Sequence, residues 1–124
     1  MYRNLEEAID HFEFLCHAQS VEAGWYLDPK TGEPRDRNVG EMLALVHSEV
    51  SEALEGHRKG LMDDHLPDRP MVEVELADAV IRIADLAGYL ELDLGGAVLA
   101  KLEYNRHRAD HKLENRAKVG GKAF

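Results

Sequence analysis

Apolar residues recur at helical spacing through most of this chain. Leu5, Ala8, Ile9, Phe12 and the Leu15/Cys16 pair fall 3, 4, 7 and 10–11 residues apart, the signature of one helical face. Asn4 followed three residues later by Glu7 has the form of a capping box, so a first helix is predicted to begin near Asn4 and to end before Gly24. A second stripe, Met42, Leu45, Val46, Val50, Ala53 and Leu54, follows the pair Asn38 and Glu41, again a cap and its N3 partner. Gly56 and Gly60 are read as the fraying end of that helix. A third helix is predicted from about Pro70, because proline is tolerated in a first turn, to about Leu90. Its apolar residues, from Val72 to Ala87, cover most of the circumference, which predicts a buried central helix. Asp93 before Leu94-Gly95-Gly96 marks a fourth start, with Val98, Leu99, Leu102 and Tyr104 as packing residues.

Between the first two helices, residues 24–38 hold Gly24, Pro29, Gly32 and Pro34 and read as a loop. It is long for a connection, and such loops are often functional. It also carries Trp25 and Tyr26. The expected architecture is therefore all-α: a four-helix protomer in a single domain over residues 1–112, with 113–124 a polar, lysine-rich and flexible tail. A nearly all-apolar third helix needs more cover than 124 residues supply, which predicts a homo-oligomer, a dimer or a tetramer.

Composition narrows the function. Lys and Arg number 15 against 24 Asp and Glu, a formal net charge of −9, which argues against a duplex nucleic-acid partner. No apolar run approaches a membrane span, and the acidic, periodic start is unlike a signal peptide. The single cysteine, Cys16, has no internal disulfide partner, so a reducing cytoplasm fits best. The charge is also segregated: residues 41–93 are net −9 and residues 94–124 net +4. A cation bound to a polyphosphate needs both signs, carboxylates for the metal and Lys or Arg for the phosphates.

The acidic residues have a pattern. Glu49 and Glu52 lie three apart on the second helix, so their carboxylates share a face. Glu75 and Asp78 repeat that spacing on the apolar third helix, where an unpaired carboxylate is costly. A divalent cation relieves the cost, and an oxygen-only set suits Mg²⁺, with Mn²⁺ as a substitute. Pairing of Asp78 with Arg82, four residues on, relieves it equally well. Lys101, Asn105 and Arg108 share a face of the fourth helix, with Tyr104 four residues before Arg108. These are donors suited to phosphate oxygens, or to ordinary pairing with the acidic helices. Trp25 suits stacking on a base, or packing against the second helix.

Three segments together resemble the MazG-like nucleotide pyrophosphohydrolases, the all-α NTP pyrophosphatases. They are Arg37-Asn38-Val39-Gly40-Glu41 running on to Leu45 through Glu55; Glu75 through Asp85; and Lys101 through Arg108. The order Glu-x-x-Glu, a gap of 22 residues, Glu-x-x-Asp, then Lys and Asn on the next helix fits the family over about residues 22–108. The resemblance implies Mg²⁺-dependent cleavage of a (deoxy)nucleoside triphosphate to the monophosphate and pyrophosphate. It implies that Glu49, Glu52, Glu75 and Asp78 hold the metal, and that Glu49 or Glu52 orients or deprotonates the attacking water. It further implies that Lys101, Tyr104, Asn105 and Arg108 contact phosphate or sugar, and that Trp25 and the loop to Arg37 lie near the base, in the same or a neighbouring subunit. Residues 110–124 extend further than the family pattern. The same scaffold also serves dUTPases and phosphoribosyl-ATP pyrophosphohydrolases, and a non-catalytic nucleotide- or metal-binding oligomerisation module is the reading outside enzymes.

Overall fold

The computed structural model describes residues 3–124. Four helices of 20, 21, 19 and 13 residues carry it: α1 (Arg3–Glu22), α2 (Val39–Lys59), α3 (Met71–Tyr89) and α4 (Leu94–Arg106). A 3₁₀ turn at Ala109–His111 and a one-turn α5 (Leu113–Arg116) follow. Among the described residues the only extended pairings are two isolated bridges, Leu27 with Pro34 and Met62 with Pro70, so the chain is all-α. No described helix is long and apolar enough to cross a membrane.

The caps explain most of the boundaries. The Asn38 side chain accepts the Glu41 N–H at 2.9 Å, satisfying one of the orphan donors of α2. The Asp93 side chain does the same for Gly96 at 2.9 Å at the head of α4. Gly60 closes α2 in the left-handed region (φ 62°), the conformation a helix terminus most readily gives to glycine. The expected cap of α1 is corrected: Arg3 is already helical, so Asn4 lies within the helix.

The chain divides into two compact units. The larger, His11–Leu92, holds the C-terminal half of α1, the 23–38 loop, α2 and α3. Here α2 and α3 run antiparallel, with Met42, Glu49, Ala53 and Gly56 the buried residues of α2. Gly56 is not a fraying end. A Cβ there would stand 2.8 Å from Cβ and Cγ of Met71, so the bare backbone lets the first turn of α3 approach. Gly56→Ala is expected to cost about 1–3 kcal/mol by overpacking, read as a lower urea midpoint. An unchanged midpoint would refute the close approach.

The expected burial of α3 is also corrected. Ala79, Ala84, Leu86 and Ala87 are buried, but Leu76, Val80, Ile81 and Ile83 are exposed. An all-apolar helix needs neighbours on every side, and α1 and α2 of the same chain cover only part of it.

The smaller unit joins the beginning of α1, up to Asp10, to Asp93–Phe124. Gly95 lies against Asp10 and the Glu6 carbonyl, leaving no room for a side chain. Within 113–124, the segment set apart as a polar tail, Arg116 donates to the carbonyls of Lys122 (3.2 Å) and Ala123 (3.1 Å) and folds the end back on α5.

Candidate functional site

The helical spacing of the acidic residues converges in the larger unit. Carboxylate oxygens of Glu49 and Glu52 on α2 and of Glu75 on α3 all lie within 4.8 Å of one another. Glu49 is buried, Glu75 half-buried and Glu52 exposed. Such a cluster repels itself unless a cation or protons intervene. Arg82 meets part of the charge: its Nε donates to Glu49 Oε1 at 2.8 Å. It therefore pairs across to α2 and not with Asp78, the partner its spacing on α3 suggested. Glu75 Oε2 is buried with no hydrogen-bond partner.

The pKa values follow from this geometry. The hydrogen bond with Glu49, then burial and then the Glu52 carboxylate push Glu75 up to about 8. Burial pushes Glu49 up as well, but hydrogen bonds from Glu75, Arg82 and Glu52 outweigh it and hold Glu49 below the ordinary carboxylate value. The proton of the pair resides on Glu75. Asp78 stands outside the tight trio. It is exposed as a residue, and partial burial of its carboxyl, followed by the Glu49 charge, raises its pKa against the opposing pull of Arg82.

Glu49 and Asp78 face a cavity of about 620 Å³ in the same unit. Its wall also holds Trp25 and Arg37 from the loop, Met42 and Leu45 from α2, and Ile81, Arg82 and Asp85 from α3. Four residues singled out in the sequence, Trp25, Arg37, Glu49 and Asp78, thus meet around one space. The loop is built to stay there. Asp28 accepts the N–H groups of Lys30 (2.8 Å) and Thr31 (3.1 Å), closing the turn beside the Leu27–Pro34 bridge. Arg37 donates its backbone N–H to the Tyr89 hydroxyl at 2.9 Å and a guanidinium N–H to the Trp25 carbonyl at 3.3 Å. Its guanidinium lies 5.9 Å from the centre of the Tyr26 ring, which stacks on Tyr89 at 4.9 Å.

At another point of the cavity wall, Asp85 gathers three donors from α1 and the loop. His17 Nδ1 lies 2.9 Å and the Tyr26 hydroxyl 2.8 Å from Oδ1, and the Ser20 hydroxyl lies 3.0 Å from Oδ2. Burial first, then the hydrogen bond to Asp85, pushes the Tyr26 phenol well above its ordinary value, so it stays protonated and donating. Tyr26→Phe is expected to cost about 1 kcal/mol, the net worth of one hydrogen bond, measured by chemical denaturation. A loss near zero would show that this hydrogen bond does not hold the loop. The sequence reading assigned no role to His17, Ser20, Tyr26 or Asp85. A trace was present, since Asp78, Ile81, Arg82 and Asp85 recur at 3, 4 and 7 residues along one face of α3.

Lys101, Tyr104, Asn105 and Arg108 belong to the smaller unit, and the carboxylates to the larger. The expected single face is corrected: Lys101, Tyr104 and Asn105 lie on α4, but the helix ends at Arg106 and Arg108 stands beyond it in extended backbone. Lys101 Nζ lies 4.7 Å and the Arg108 guanidinium 5.7 Å from the centre of the Tyr104 ring. Arg108 is also held by Asp110 in a two-pronged pair at 2.9 and 2.6 Å. Asn105 Oδ1 is buried without a hydrogen-bond partner. Comparison with protein-family models, with curated proteins and with solved structures finds no match for this chain.

Proposed function

We propose that this chain is a Mg²⁺-dependent nucleoside triphosphate pyrophosphohydrolase of the MazG-like, all-α kind, working as a homo-oligomer. The carrying observation is the meeting of Glu49, Glu52 and Glu75 beside a cavity that also holds Trp25 and Arg37. The donor set fits the ion: every candidate ligand is a carboxylate oxygen, the chemistry of a hard cation and not of zinc. Glu75 Oε2, buried and unpartnered, is an acceptor that a cation would satisfy. Glu49, Glu52 and Glu75 would hold the ion, with Asp78 completing the set from the neighbouring turn of α3. Mg²⁺ supplies charge neutralisation at phosphate oxygens and lowers the pKa of a bound water.

The chain's own groups account for the remainder. Glu49 or Glu52 holds the attacking water and takes its proton. Arg82, now on Glu49, has a guanidinium in the cavity wall suited to phosphate oxygens once a cation takes over Glu49. Trp25 provides a face for the base. Lys101, Tyr104 and Asn105 on α4, with Arg108 just beyond its end, offer donors suited to phosphate and sugar oxygens.

Incubation with each NTP and dNTP, with Mg²⁺ and with excess chelator, tests this by chromatography of the products. Monophosphate and pyrophosphate formed only with metal is the expected result. Diphosphate and phosphate, or turnover in chelator, would overturn it. A rate confined to dUTP or to phosphoribosyl-ATP would place the chain among the other enzymes of that scaffold.

A further inference from the structure

We propose that Asp85 selects nucleobases with an amino group at the pyrimidine 4- or purine 6-position, so that cytosine and adenine are accepted over uracil, thymine and hypoxanthine. This specificity rests on the pyrophosphohydrolase reading above and adds a residue and a substrate class to it.

Asp85 follows Asp78 by seven residues, two turns along the same face of α3, or about 10 Å. Both line the one cavity. With phosphates at the Glu49 and Asp78 end, sugar and base extend along α3 toward Asp85, and Trp25 in the same cavity lining offers a flat apolar face.

Hydrogen-bond accounting then gives the wall a polarity. A carboxylate only accepts, with about four lone-pair sites. Three are taken, two on Oδ1 by His17 and Tyr26 and one on Oδ2 by Ser20. Because Asp85 cannot donate, His17 Nδ1 must carry the proton of its bond. The Ser20 hydroxyl has one proton, and it is committed to Asp85. Ser20 also lines the cavity. What the two side chains have left to offer a ligand is lone pairs, one on Asp85 Oδ2 and those on Ser20 Oγ. A ligand edge that meets these two side chains must bring them N–H groups, whereas Gln19 and Arg37, elsewhere in the same wall, can donate. The 4-amino group of cytosine and the 6-amino group of adenine do so. Uracil, thymine and hypoxanthine place a carbonyl oxygen at the same position, leaving acceptor against acceptor in a part-buried site.

A tie-bar serving only the fold would also join α1, the loop and α3 through Asp85. It would alter stability, and turnover of every nucleotide alike. The readout is therefore a ratio. The full chain with Mg²⁺ is assayed on dCTP against dUTP and on ATP against ITP, each pair differing at the amino position. The wild type is expected to favour the amino-bearing member by about tenfold or more in kcat/KM. In Asp85→Asn, whose amide can donate to a carbonyl, the ratio should fall toward unity or invert. Ser20→Ala should lower the ratio less, since Asp85 Oδ2 remains. Rates equal within about twofold in both pairs, or a preference for the carbonyl bases, would overturn the assignment and leave the pyrophosphohydrolase intact. So would an amino preference that survives unchanged in folded Asp85→Asn. Should that variant not fold, the wild-type ratios and Ser20→Ala decide. No metal-dependent turnover of any of the four would instead remove the reading beneath, and this inference with it.

Discussion

Glu75→Gln is expected to abolish metal-dependent nucleotide hydrolysis and, at pH 8 and above, to make the metal-free protein more stable. The two effects share one cause. Glu75 is held among Glu49 and Glu52 with a buried oxygen that has no hydrogen-bond partner among the described residues. In the metal-free fold its pKa stands near 8, against an ordinary value of 4.5. Between those values the folded state keeps a proton that the unfolded chain has released. The contribution to stability is therefore complete below about pH 4.5 and is lost as pH rises through 8. Glu49 moves the other way, its contribution present above the ordinary carboxylate value and lost as pH falls, which offsets part of the slope. Glutamine mimics the protonated acid at every pH, so the variant should lack the decline. Water reaches the cluster, and with that screening the gain at high pH is roughly 1 kcal/mol, a few degrees in Tm. Loss of a cation ligand should lower kcat/KM by about 100-fold or more. Thermal scans from pH 5 to 9 in chelator, beside product assays in Mg²⁺, check both. A variant active to within about threefold of wild type would remove Glu75 from the site.

Double substitution of Leu54 and Val80 by Asp is expected to split an oligomer into 14.0 kDa monomers, and the wild type is expected to scatter light as a multiple of that mass. Leu43, Val50 and Leu54 on α2 and Leu76, Val80 and Ile83 on α3 are between 40 and 58% exposed. Each trio follows helical spacing, so each is a stripe along its own helix. The stripes are turned from the chemistry: Leu54 sits roughly 140° round α2 from Glu49, and Val80 roughly 200° round α3 from Asp78. A second copy can cover them without closing the cavity. Completing the burial of each is worth about 1 kcal/mol, and an aspartate placed there would be buried unpaired. A wild-type species of 14.0 kDa at tens of micromolar would refute the interface.

The sequence reading succeeded where the signal was local. Asn38 with Glu41, and Asp93 with Gly96, are caps encoded within three residues, and both form the bonds their spacing suggests. The trio of Glu49, Glu52 and Glu75 was legible for a similar reason, because helical spacing fixes the face and an apolar helix penalises an idle carboxylate. Apart from the Asn4 cap, the failures are non-local. Arg82 bonds Glu49 across 33 positions, and Asp85 is reached by His17 and Ser20 across 68 and 65. No pattern within one helix reports which residue a neighbouring helix presents. Gly56 misled in the same way: a glycine near a helix end reads as termination, and only the approach of Met71 shows it as a packing position. The apolar circumference of α3 was legible as a pattern, but periodicity does not say whether the cover comes from the same chain.

Trp25 is the only tryptophan in the chain, and it stands exposed in the wall of the cavity. Its indole emission therefore comes from one position, and displacement of water by a stacked ring would quench or shift it. The protein carries an intrinsic optical probe at the place where the base is proposed to sit. Affinities for nucleotides, and for non-hydrolysable analogues that give no product to assay, can be titrated without attaching a dye. The lone thiol, Cys16, lines the same space and would be a poor place to attach one.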